Sequence, residues 1–131
     1  MHVVTVVYRG MIEDADGAPA VGRAGNLLGV RDTDIDVTES GDVLPGSGGM
    51  SVAPDDPRRL PRHRRPREFE GTADHPAWGL TLSDLPADLG YRPDPRDPSL
   101  HGYIEPSAPM PVERYEDALA STRSAWTKAI P

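Results

Sequence analysis

The chain has 131 residues, with 37% apolar and 27% charged side chains, 15 prolines and 13 glycines; this fits one domain over 1–131 and excludes a fully disordered chain. A net charge of −7 disfavours phosphate backbones and anionic membranes as partners, so no general nucleic-acid or membrane binding is expected, and the lack of cysteine removes disulfides, thiol catalysis and cysteine-ligated zinc. No apolar run nears the roughly 18 residues of a membrane span, and Val3 to Val7 is too short for a signal segment; a cytoplasmic site of action is expected, with export by a machine that needs no cleaved signal left open.

In chain order, His2 to Tyr8 is dense in β-branched residues and predicts a buried strand that ends at Arg9-Gly10. Glu13 to Gly25 predicts a flexible loop, and Asn26 to Val30 a short apolar element stopped by glycine. Asp34 to Val37 and Asp42 to Leu44 predict a hairpin around Glu39-Ser40-Gly41. Its second strand runs into Pro45-Gly46-Ser47-Gly48-Gly49 and then Met50 to Ala53, where the glycines allow positive φ and close approach to a ligand. Prolines at 57, 61 and 66 rule out a helix through the arginine run Arg58, Arg59, Arg62, Arg64, Arg65 and Arg67. Trp78 to Leu82 predicts a strand, Ser83 to Leu89 a helical turn or two, Arg92 to Pro98 a surface loop, and His101 to Pro106 a short strand ended by proline. From Val112 to Ile130 the residues Val112, Tyr115, Leu119, Thr122, Trp126 and Ile130 recur at near 3.6 spacing, predicting a C-terminal helix.

Arg9 has the chemistry to hold a phosphate by a bidentate contact, although an arginine at a strand end is more often a surface or ion-paired residue. Gly46 to Ser51 offers backbone N–H groups and a hydroxyl to an anion, yet it lacks the Gly-Lys-Ser/Thr ending of a P-loop, and no GxGxxG precedes a helix. His2, His63, His75 and His101 form no i, i+4 pair, so no metal site is expected. His101, Tyr103 and Glu105 alternate at period 2 and are expected to line one cleft; Glu105 has the chemistry to stabilise an oxocarbenium-like centre. The run Arg58 to Arg67 opposes the acidic balance and is suited to an anionic substrate, a cofactor pyrophosphate or an acidic partner, or is simply a solvated face.

Taken together, Val7-Tyr8-Arg9-Gly10, Gly25-Asn26-Leu27-Leu28-Gly29-Val30-Arg31, Asp34-Ile35-Asp36-Val37, Gly48-Gly49-Met50-Ser51-Val52, Leu60 to Pro66, His101 to Pro106 with Pro109-Met110, and Arg123 to Ala129 resemble, in collinear order, a toxin family of type VI secretion effectors with an ADP-ribosyltransferase-like fold. The resemblance covers most of the chain. It implies an α/β (α+β) fold, with two small antiparallel sheets forming a cleft for NAD and a C-terminal helix. Arg9 looks like the first-strand residue set against the adenosine ribose or the phosphates, and Ser51 like the polar residue beneath the nicotinamide ribose. Met50 stands where the best-known family member has threonine.

Under the resemblance, Tyr8, Arg9, Gly10, Gly49, Met50 and Ser51 would bind NAD, and Ser51, His101, Glu105 and Glu113 would be the catalytic candidates, the last two as alternative acids. NAD would serve as substrate: its nicotinamide glycosidic bond is cleaved and ADP-ribose passes to a macromolecule or to water, arresting growth of the target cell. A cognate immunity or antitoxin protein is expected as partner. Two alternatives stand beside this reading: a non-catalytic protein-binding module using the cleft or the arginine run, and a small-molecule, antibiotic-type ADP-ribosyltransferase, to which Ile104-Glu105-Pro106 is faintly similar.

Overall fold

A computed structural model describes residues 2–131. Among them, in chain order, are β1 (Val6–Gly10), β2 (Asp42–Val43), β3 (Met50–Pro54), β4 (Ala77–Thr81), β5 (Leu89–Pro93), β6 (Gly102–Pro106), β7 (Met110–Pro111), α1 (Val112–Ser121) and β8 (Thr127–Lys128). The fold is α+β. One antiparallel sheet runs β5-β6-β3-β1-β4-β8, and β2 pairs with β7 in a separate ribbon. No helix among these residues is long and apolar enough to cross a membrane.

The sheet divides at β3. Ala53 and Pro54 pair with Tyr8 and Val7 of β1, whereas Met50, Ser51 and Val52 pair with Ile104, Tyr103 and Gly102 of β6. Beyond Tyr8 the two strands therefore part, and Arg9 and Gly10 pair only with Trp78 and Ala77 of β4. One face of the sheet buries Val7, Met50, Val52, Leu80 and Ile104 with Tyr115 and Leu119 of α1, each large side chain contributing about 1.5–3 kcal/mol by leaving water. On the other face Ala53 and Ala77 pack against Leu60 and Phe69.

Leu60 and Phe69 belong to the arginine-rich segment, which forms three single 3-10 turns at Pro57–Arg59, Arg62–Arg64 and Arg67–Phe69. Each begins with a proline at its cap or first position, where the missing N–H costs nothing. The segment crosses the sheet in short steps that bury Leu60, Pro66 and Phe69 and leave Arg58, Arg62 and Arg67 exposed, with Arg59, Arg64 and Arg65 half-buried.

Several sequence-based expectations are corrected. The first strand lies at Val6–Gly10 rather than His2 to Tyr8, so Arg9 is within it. Asp34 to Val37 is no hairpin partner of Asp42 to Leu44; β2 pairs with β7, and Ile35 makes an isolated bridge to Gly48. The segment after Thr81 is a single 3-10 turn, Leu82–Asp84. The C-terminal helix stops at Ser121 and a 3-10 turn leads into β8, leaving Ile130 86% exposed. The two small sheets expected to face each other are one divided six-stranded sheet and a two-stranded ribbon.

Candidate functional site

A cavity of about 220 Å³ opens where β1 and β3 diverge. Arg9, Gly10, Ser51 and His101 line it together, joined by Arg31, Asp34, His63 and Arg64, with Leu60, Pro61 and Leu100 forming an apolar wall. Three guanidinium groups face one carboxylate there, so an acidic protein carries a locally cationic pocket. Burial by itself would raise the Asp34 carboxyl, but its hydrogen bonds from Arg31 and the nearby Arg9 hold it below the usual carboxylate range.

Arg9 is 4% exposed and acts as a stitch. Its Nη1 donates to the Ser51 carbonyl at 2.7 Å, its Nε to the Leu27 carbonyl at 3.0 Å, and its Nη2 to the carbonyls of Leu27, Ala24 and Gly29 at 2.9, 3.3 and 3.3 Å. The charge is solvated by peptide dipoles instead of a carboxylate. Burial pulls its pKa down to about 10, so it stays cationic at neutral pH. Of the five N–H groups of a guanidinium, only one on Nη1 is left for a ligand. The fork that a bidentate phosphate contact needs is thus committed to the protein.

Arg64 is differently placed. Arg58, Arg59 and Arg67 pair with Asp56, Asp55 and Asp74, but among the described residues no carboxylate pairs with Arg64. It lines both this cavity and a neighbouring one of about 620 Å³, whose wall also carries His63, Asn26, Thr72, His75 and the carboxylates of Glu13 and Asp74. His75 has a buried Nε2 without a partner, and burial pulls its pKa down. Arg64 and His63 form the septum between the two hollows.

Two glycines keep that septum in place. A methyl group at Gly10 would lie 2.1 Å from the Arg64 carbonyl oxygen, and one at Gly25 would lie 2.2 Å from Arg64 Nη2. The first contact is with backbone, the second with the movable end of a side chain. Gly25→Ala is therefore expected to shift the melting temperature by no more than about 2 °C, while lowering the affinity for inorganic pyrophosphate roughly tenfold by displacing one charge-assisted donor. Calorimetric titration checks this, and unchanged pyrophosphate affinity would show that Arg64 does not hold the anion.

The remaining sequence candidates lie elsewhere. Tyr8 lines a separate groove with Phe69, Gly79 and Ala129. Met50 is buried in the core, and Gly49 is packed against the Ile104 carbonyl and the Tyr115 hydroxyl. The register sets Ser51 opposite Tyr103 on the same face as Glu105, yet Glu105 does not line the cavity. Its Oε1 accepts the Gly46 N–H and the Arg92 Nε–H, both at 2.8 Å, which fastens the glycine loop to the sheet. Glu113 is exposed on the first turn of α1 and lines none of these hollows.

Arg31, Asp34 and Leu100 reach the cavity from loops that carry no local signal of it. Asp94, missed in what reads as a surface loop, bonds His101 and is discernible only through the β5–β6 register: Pro93 pairs with Gly102, so the next pair outward on the face of Tyr103 is Asp94 with His101. No protein-family model matches the chain, and no curated protein matches it.

Proposed function

We propose that the chain binds NAD across the Arg64 septum and cleaves its nicotinamide glycosidic bond, as a growth-arresting toxin with an ADP-ribosyltransferase-like fold. The observation that carries this reading is a cationic divide with a hollow on either side, in a protein of net charge −7. A dinucleotide has the matching form: a central pyrophosphate with a nucleoside at each end. The apolar wall of Leu60, Pro61 and Leu100 suits a flat ring, and the sheet's division at β3 supports the ADP-ribosyltransferase-like assignment. Ser51 and His101 share the smaller hollow, which suits it to the nicotinamide ribose. An immunity protein closing this cavity would present carboxylates to it.

Cleavage needs the leaving nicotinamide to depart from a ribose that becomes oxocarbenium-like, with a nucleophile arriving at C1′. The chain supplies charge for the pyrophosphate through Arg64 and Arg9, and polar groups beside the ribose through Ser51 and His101. Glu105 is tied to Gly46 and Arg92, so this reading gives it the task of holding the glycine loop.

Purified protein with NAD is expected to release nicotinamide, and saturating NAD to raise the melting temperature by several degrees, since ligand at about 100 times Kd adds roughly 2.7 kcal/mol. His101→Ala is expected to reduce release about 10²-fold or more. Absence of both release and thermal shift, with and without cell lysate, would sink the reading and leave the protein-binding module.

A further inference from the structure

We propose that Asp94 is a positioning residue that presents His101 as the proton acceptor of the transfer step, an assignment that rests on the NAD reading above. His101 lines the cavity and Asp94 stands behind it. The His101 Nδ1 lies 2.8 Å from Asp94 Oδ2, while Asp94 Oδ1 accepts the Arg96 N–H at 2.9 Å, so both carboxylate oxygens are fixed. The Asp94 N–H donates to the His101 carbonyl at 3.0 Å, which continues the β5–β6 hairpin by one pair and sets the two side chains on one face. The Tyr103 ring meets the imidazole edge-on at 4.7 Å between centroids and limits its rotation. The pair is partly shielded, at 14% and 31% side-chain exposure for Asp94 and His101.

An ionised carboxylate can only accept, so the neutral imidazole carries its hydrogen on Nδ1 and keeps its lone pair on Nε2. In the transfer step the C1′–N bond of the nicotinamide ribose breaks and its electron pair leaves with neutral nicotinamide. The oxygen of the acceptor, water or a hydroxyl, forms the new bond to C1′. Its proton passes to His101 Nε2 and from there to solvent, so the step balances without another reactant.

The test compares the wild type with Asp94→Asn by nitrogen-15 NMR of the imidazoles and by the kinetics of nicotinamide release. Asparagine can donate to Nδ1 and so admits the opposite tautomer. The expected result is a shift of His101 toward the Nε2–H tautomer and a kcat about 10²-fold lower with KM for NAD unchanged. Adding Asp94→Asn to His101→Ala is expected to cause no further loss, since the two act as one unit. An unchanged His101 tautomer overturns the proposal whatever the kinetics show, and so does release by Asp94→Asn within about twofold of an active wild type. A wild type that releases no nicotinamide instead refutes the NAD reading, and the role in transfer falls with it; the NMR comparison then reports only whether the pair exists.

Discussion

Arg9→Ala is expected to destabilise the protein by about 4 kcal/mol, because truncation strips the donor from four carbonyls at once in a place that water reaches poorly. A single lost hydrogen bond costs about 1–3 kcal/mol when its partner stays buried; partial rehydration of the loop around Ala24 to Gly29 keeps the total below the sum. The melting temperature is expected to fall by about 10 °C or more, measured alongside denaturant unfolding. Arg9→Lys keeps the charge but has no planar fork to reach Ser51, Leu27 and Gly29 together, so it is expected to recover only part of the loss. A cost below about 1 kcal/mol for Arg9→Ala would mean that the loop carbonyls find other partners. Loss of NAD cleavage in this variant therefore cannot be read as loss of a phosphate contact unless the fold is measured too.

Tyr115→Phe is expected to cost about 2 kcal/mol at neutral pH, and the difference from the wild type is expected to shrink in alkali. The Tyr115 hydroxyl donates to the Ile104 carbonyl and accepts the Met50 N–H at 3.1 Å, bridging β6 and β3 from beneath. Phenylalanine fills the same space and leaves both groups unmet. Burial pushes the phenol's pKa well above its ordinary value of 10.0, so the folded state holds a proton that the unfolded chain gives up. Stability from this group is complete below about pH 10, the unfolded value, and drains as pH climbs toward the folded one, at about 1.4 kcal/mol per unit. Tyr115→Phe lacks this drain. Denaturant unfolding at pH 8 and pH 11 checks it; equal gaps at the two pH values would show that the phenol ionises alike in both states.

The β-branched run ending at Tyr8 revealed a central strand, but an arginine directly after such a run reads as its end, whereas Arg9 lies inside the strand. Nothing local says that five hydrogen bonds to carbonyl oxygens await Arg9, since those come from residues 15–42 positions away. The C-terminal helix was visible as an apolar stripe, and the stripe continued too far. Thr122 caps the helix by bonding the Leu119 carbonyl, and Trp126 then reaches its hydroxyl from the following turn at 2.9 Å. A four-residue spacing fits that turn as well as another helical one. Of the site, Arg9, Ser51 and His101 were identifiable by residue type and position. Arg64 was visible only as one of six arginines, because what distinguishes it, a position lining two hollows at once, is a property of the folded chain.

The two margins of the sheet also determine how the folded protein behaves at high concentration. β8 is two exposed residues long and carries Lys128, which pairs with Glu13 at 2.7 Å. At the opposite margin β5 ends in Arg92 and Pro93, both exposed, and the proline has no N–H to offer an incoming strand. A row of unpaired backbone groups at a sheet edge is a template for edge-to-edge aggregation, and shortness, charge and proline are the usual safeguards against it. Here both margins carry them, so the sheet stops at six strands and gives a second molecule little to extend.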